Sequence, residues 1–256
     1  ANQYKKINPE IIKLRTVHRQ KNGDFLKILN KLRKGKVEKK DLDKINENVK
    51  EFNLEEDGIF LTTTNRKVNQ INSKELKKLS GREYKFGGEI DGNFPNSYLP
   101  TAKDLKLKKR ARVMLLNNDK DGRWINGDIG EILEIDNDES ILRVKLENGR
   151  KVKVSSYKWK RLKYKYNSKT EEVKSDEVGS FNQLPIRLAW ATTIHKAQGK
   201  TFDRAMIDFQ NGTFSHGQAY VALSRCTGLD GLSLRRPIRK SDIIVDQRVN
   251  KFLNSF

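Results

Sequence analysis

What most constrains this chain is the alternation of its final third between short apolar runs and helical stretches. A strand is predicted over 184–191, a short helix from Thr192, a strand over 205–209, a helix over 217–225 and a strand over 231–234. Strands separated by helices do not pair as hairpins. They lie parallel, with helices packed on the sheet, so this region requires an α/β layer. Ser241 and Asp242 then open a last helix.

The first hundred residues fit the same layer. Phe25, Ile28, Leu29 and Leu32 fall three and four apart, which predicts a helix over 23–35 ended by Gly35. Leu42, Ile45, Val49 and Phe52 repeat that spacing, and 58–64 is a compact β run ending in polar residues. Asn65 is placed to cap a further helix, with Val68, Ile71, Leu76 and Leu79 on one face and Gly81 as its stop. Between 87 and 100 the sequence fills with Gly, Asn, Pro and Ser, and the periodicity then turns strand-like. Short strands are predicted over 112–116, 131–136, 141–147 and 151–155, with Asn148-Gly149 as a hairpin signal. These read as a small all-β barrel, followed by a heavily charged stretch over 158–176. The expected organisation is an α/β domain over 1–100 and 176–256, with the barrel inserted over 101–175.

Composition narrows the partners. The 256 residues hold 53 Lys and Arg against 33 Asp and Glu, a net charge of +20. Such an excess points to a polyanion, nucleic acid first, although a Lys-rich solvated surface gives the same number. Cys226 is the single cysteine, so no internal disulfide and no cysteine cluster for a structural metal is available. No apolar run approaches the ~18 residues of a membrane span, and the expected location is cytoplasmic. The chain starts at Ala1 and enters patterned sequence quickly, which reads as a piece of a longer protein.

Two segments carry chemistry. In 191–203 a buried strand delivers Thr192, Thr193, His195, Lys196 and Gln198 onto a turn and short helix, and open α/β sheets bind ligands at such strand ends. An ordinary capped turn with His195 on the surface fits the same spacing. Gly199-Lys200-Thr201 imitates the end of a phosphate-binding P-loop, but the required earlier glycine is Ile194, and the run is expected to follow a helix. In 217–232 a buried helix ends at Ser224, Arg225 and Cys226. A rigidly held Arg225 could meet a transferring phosphoryl group, or could simply satisfy the last carbonyls of its helix.

These two segments resemble motifs V and VI of the RecD/Pif-type superfamily 1B DNA helicases: Trp190 to Thr201 reads WATTIHKAQGKT, and Tyr220 to Arg225 reads YVALSR. The segment over 16–35 is similar to motif IV, and TTTNRKVNQIN over 62–72 to the following strand-gripping segment. NGDIGEI over 126–132 is similar to the family's inserted barrel. The resemblance implies an α/β, RecA-like second motor domain of the P-loop-NTPase type, lacking its own P-loop, with an inserted small β-barrel.

It further implies ATP and Mg2+ as cofactors, held mainly by an N-terminal RecA-like domain that would be this chain's partner, with single-stranded DNA as the other. Arg19 and Arg225 become the catalytic candidates; Gln20, Gln198, Gly199 and Arg225 would line the nucleotide. Thr63, Thr64, Asn65, Thr193 and His195 would contact the strand. No G-x-x-x-x-G-K-[ST] occurs anywhere in the sequence and no apolar strand ending in an acidic pair precedes motif IV, so the chain alone is expected to be inactive. A monomer travelling 5′ to 3′ is the expectation. A non-enzymatic nucleic-acid-binding module, or the helicase portion of a relaxase or nuclease complex, is the competing one.

Overall fold

The computed structural model describes residues 10, 12, 17, 19–20, 23–51, 53, 58–168 and 171–253. Phe52, and residues 16, 18, 21 and 22 of the segment over 16–35, lie outside them. The chain divides into two compact units, one formed by residues 1–70 and 191–256, the other by the contiguous stretch 71–190. The segment expected as a barrel falls inside the second.

The first unit is built on a four-stranded sheet. Strands β1 (Ile59–Thr62), β12 (Ala191–Thr193), β13 (Ala205–Asp208) and β14 (Leu232–Leu234) lie in the order β12-β1-β13-β14. Every pairing is parallel. β1, β12, β13 and β14 are buried throughout, as strands covered on both faces must be. Helix α1 (Gly23–Lys34) buries Phe25, Ile28, Leu29 and Leu32, the stripe its spacing predicts. Gly35 ends it at φ +67°, with its N–H on Leu32 O and that of Lys36 on Lys31 O. This six-to-one closure satisfies the last carbonyls, and a glycine adopts it without Cβ strain. α1 packs on α4 (Gln218–Leu223). Burying one such Leu or Phe stabilises the fold by about 1.5–3 kcal/mol.

Helix α2 (Lys39–Asn46) stops before Val49, which instead bridges to Leu234. Helix α3 (Asn65–Lys78) begins at Asn65 itself, so the cap is Thr64 and not Asn65: the N–H groups of Lys67 and Val68 reach Thr64 Oγ1 and O. The helix expected from Ser241 is a single 3-10 turn, Lys240–Asp242, followed by α5 (Gln247–Leu253).

The second unit is β-rich. Strands β5 (Arg112–Leu115), β6 (Ile129–Asp136), β7 (Ile141–Leu146), β8 (Lys151–Val154) and β11 (Ile186–Leu188) form one antiparallel sheet, ordered β11-β5-β6-β7-β8. Asn148-Gly149 makes the β7–β8 turn, with Gly149 at φ +85°. Strands β2 (Tyr84–Gly87) and β4 (Asp104–Leu107) pair with each other. Strands β9 (Tyr157–Asn167) and β10 (Glu172–Gln183) form a long hairpin, and β3 (Glu89–Gly92) joins β10 near its base.

Two expectations are corrected. The charged stretch is this hairpin; beyond its base both faces meet solvent, so no apolar alternation marks it. The predicted strand over 184–191 is two strands, β11 in the β-rich sheet and the start of β12 in the parallel one. Trp124 is buried with its N–H on Asn117, and Trp159 stacks on Phe181. These rings serve the interior, whereas Tyr164 and Tyr166 on the hairpin are exposed.

Candidate functional site

The carboxyl ends of three parallel strands bring the expected strand-binding residues together. Thr193 and Asp208 both stand opposite Thr62 in register, one on each side. Thr62 leads into Thr63 and Thr64, and Ile194 N–H donates to Thr62 O at 2.9 Å, which draws the Thr193–His195 turn against the Thr62–Asn65 turn. Thr193 Oγ1 accepts from Lys196 N–H. Thr64, Asn65 and His195 are exposed, while Thr63 and Thr193 are largely covered.

A residue that the sequence did not flag completes this end. The Gln210 side-chain amide donates to Thr62 Oγ1 at 2.9 Å, Thr63 Oγ1 at 2.9 Å and Thr64 Oγ1 at 3.0 Å. Behind it, Arg236 donates from Nε to Gln210 O and through both Nη atoms to Asp242. Burial pushes the Asp242 carboxyl up, but the Arg236 guanidinium and the Arg239 N–H outweigh this and hold it below its ordinary value. The only local signal for Gln210 was its place just after a buried strand.

The arginines meet elsewhere on the same unit. Arg19 donates from Nε to Thr201 Oγ1 at 2.9 Å and from Nη1 to Ser224 O. Gln20 donates its amide to Ser224 O and Cys226 O, so its side chain is already committed to the protein. Arg225 is buried; it donates to Val221 O, Lys200 O, Ala197 O and Ser224 Oγ. The helix-end reading of Arg225 is therefore present, since it satisfies a carbonyl of its own helix, and it also anchors the segment ahead of β13. Burial, then the charge of Arg19, lower its pKa to about 10, so it stays protonated at neutral pH. Neither guanidinium pairs with a carboxylate among the described residues. Two neighbouring cations without a counter-ion suit an anionic phosphate.

The segment 194–201 joins the two places, running from the carboxyl end of β12 to the approach of β13. It is a chain of turns, not the short helix expected: Ala197 N–H bonds Thr193 O, Gln198 N–H bonds His195 O and Lys200 N–H bonds Ala197 O. The P-loop likeness of Gly199-Lys200-Thr201 therefore fails on Ile194 and on the strand that follows, and not on a preceding helix. Gly199 is exposed at φ +83°, with open space where a Cβ would stand, and Gln198 is exposed beside it. Backbone could be approached closely there. Among the described residues no three His, Cys, Asp or Glu converge as metal ligands, and no helix is long and apolar enough to cross a membrane.

A scan against protein-family models gives no match. Over 246 residues the chain is 32% identical to the ATP-dependent DNA helicase Pif1 of Bdellovibrio bacteriovorus, across 93% of this chain and 53% of that protein. Its homologues are Pif1 helicases. Unliganded Pif1 from Bacteroides sp matches with a TM-score of 0.81 at 33% identity, over 94% of this chain and 55% of that one. Bacteroides Pif1 in complex with ADP-AlF3 and single-stranded DNA matches with a TM-score of 0.72 at 33% identity, over 95% and 56%. The chain spans about half the length of the Pif1 relatives it matches. Likeness to Pif1 structures over this length makes the parallel sheet a RecA-like motor domain and the β-rich unit its insertion.

Proposed function

We propose that the chain is the C-terminal motor portion of an ATP-dependent DNA helicase, which holds single-stranded DNA and contributes arginines to ATP hydrolysis. The observation that carries this reading is the segment 194–201. One end holds Thr193 and His195 beside the Thr63–Asn65 turn, and the other is bonded by Arg19 and Arg225. A nucleotide phosphate that draws on those guanidiniums pulls on the same backbone that supports the strand grip, which is what a motor requires.

In this reading Arg19 and Arg225 complete the γ-phosphate site, with Gln20, Gln198 and Gly199 beside the nucleotide. A P-loop, absent from this sequence, holds most of ATP and Mg2+ from an N-terminal RecA-like partner domain. Hydroxyls and free N–H groups at the head of α3 take strand phosphates, contacts that carry no base information and so suit movement over any sequence. The protein works as a cytoplasmic monomer moving 5′ to 3′, and the chain alone hydrolyses ATP negligibly.

The test uses the helicase with both motor halves. Arg19→Ala and Arg225→Ala should each reduce ATP hydrolysis at least a hundredfold, about the effect of removing one donor to transition-state charge, with strand affinity within about threefold of the parent. Arg19 is the cleaner variant, because Arg225 also supports the backbone. Equal loss of hydrolysis and strand binding in Arg19→Ala would assign that side chain to structure and refute the proposal.

A further inference from the structure

We propose that Gln210 is a positioning residue of the strand grip: its amide fixes the hydroxyls of Thr62, Thr63 and Thr64 so that Thr63 and Thr64 present their O–H groups outward to a phosphate. The inference rests on the strand-binding reading above and adds to it a residue that none of the motifs contains.

The chemistry follows from counting donors. A threonine hydroxyl has one hydrogen to donate and two lone pairs to accept with. The Gln210 Nε2 group directs its hydrogens at three such oxygens, all within 3.0 Å. An oxygen that accepts from the amide cannot donate back to it, so its own hydrogen turns elsewhere. Thr62 is fully buried, and its hydrogen stays inside. Thr63 lies at the rim and Thr64 is exposed, so theirs can turn toward solvent. An O–H aimed outward beside the first N–H groups of α3 offers a phosphate oxygen several donors at once. With the amide gone, Thr63 loses the bond that sets its hydroxyl and Thr64 keeps only its cap bond from Lys67 N–H, so the strand must do more of the ordering on binding.

Gln210 is itself held for this task. Its φ is +50°, in the left-handed region that residues with side chains rarely occupy. Its N–H donates to Asp208 Oδ1 at 2.8 Å, and its carbonyl accepts from Arg236 Nε at 2.6 Å. Asp242 grips Arg236 with two bonds of 2.8 Å, and Arg236 also lies over the Phe209 ring. Asp208 stands next to Thr62 in register, where its charge would repel a phosphate; the nearby Arg236 offsets it. A backbone tied on both sides places the amide at one point, which a flexible loop glutamine would not do.

The experiment measures binding of fluorescein-labelled oligothymidylate by anisotropy, at fixed salt, in the intact helicase. Gln210→Gly accepts the left-handed backbone, relieves its strain and removes the side chain, the amide with it. It should raise the strand Kd about tenfold, the effect of one charge-assisted hydrogen bond, while the urea midpoint does not fall. The KM for ATP at saturating strand should not follow the Kd. Gln210→Glu, which can only accept and adds a negative charge, should weaken binding further than Gln210→Gly. Thr64→Val should weaken binding alone, and combined with Gln210→Gly should cost less than the product of the two effects. Parental affinity in Gln210→Gly, or strict multiplicativity in the pair, overturns the role of Gln210 while a weakened Thr64→Val leaves the grip standing. Unchanged affinity in both Thr63→Val and Thr64→Val removes the grip itself, and Gln210 with it.

Discussion

Asp242→Asn tests how the fold supports the carboxyl end of β13. The Asp242 side chain is 3% exposed and accepts from Arg236 Nη1, Arg236 Nη2 and Arg239 N, each at 2.8 Å. The amide keeps the volume but turns one acceptor into a donor facing other donors, and leaves the guanidinium without its bonded carboxylate, with Asp208 acting on it only through charge attraction. Removing one partner of a buried ion pair costs about 3–5 kcal/mol. Arg236 keeps a fifth of its side-chain surface in water, so solvent recovers part of the loss and the lower end, about 3 kcal/mol, is expected. For a chain of this size that lowers Tm by about 6–12 °C, read by far-UV circular dichroism. The sign with pH is fixed by the lowered pKa of Asp242. The contribution is fully present above the ordinary value of 3.8 and is lost as pH falls through the lower folded value. The gap between parent and variant should therefore close under acid. A Tm loss below about 2 °C at pH 7, or a gap undiminished when both proteins are compared at the lowest pH they tolerate, would refute the reasoning.

Two further outcomes follow from the same unit. Cys226 is buried, and burial pushes its thiol up to about 12, so a disulfide reagent at pH 8 should leave it unmodified in the native protein and label it fully in urea; rapid native labelling would contradict the burial. Gly58 has φ +69°, and a Cβ there would stand 2.5 Å from Arg204 O, so Gly58→Ala should destabilise by about 2–4 kcal/mol in a urea titration, combining left-handed strain with displaced backbone. A variant as stable as the parent would show that the β1–β13 approach is looser than described.

The sequence showed most clearly the segments where burial has one period. The α1 stripe at Phe25, Ile28, Leu29 and Leu32, the buried strands β1, β13 and β14 of the parallel sheet and the Asn148-Gly149 turn all carry their own local instruction. Where tertiary contacts decide, the pattern was silent or misleading. Residues 184–191 are apolar enough for one strand, yet the chain leaves one sheet and enters another at Trp190. The turns after Thr193 imitate a helix because Ala197 is buried and the residues around it are polar. Thr63, Thr64, Thr193 and Arg225 stood out as candidates through their motifs, whereas Gln210 did not, since the threonines it bonds lie nearly 150 positions earlier in the chain. Of the hydrogen bonds that occupy Arg225, the one to Val221 O follows from an arginine at a helix end, whereas those to Ala197 O and Lys200 O, more than twenty positions earlier, do not.

The strand order carries a consequence for how the chain comes together. Residues 71–190 form a contiguous unit, so all of its sheets can close once that stretch has been synthesised. β1 cannot wait in comfort: both of its neighbours, β12 and β13, begin more than 125 residues later. Until they arrive, Ile59, Phe60 and Leu61 have no sheet to bury them and two open edges that any other strand could join. Loop closure over such a distance is slow relative to local pairing. Nascent chains stalled just after residue 190 should thus display a folded β-rich unit beside an adhesive, incomplete motor sheet, the species most in need of a chaperone.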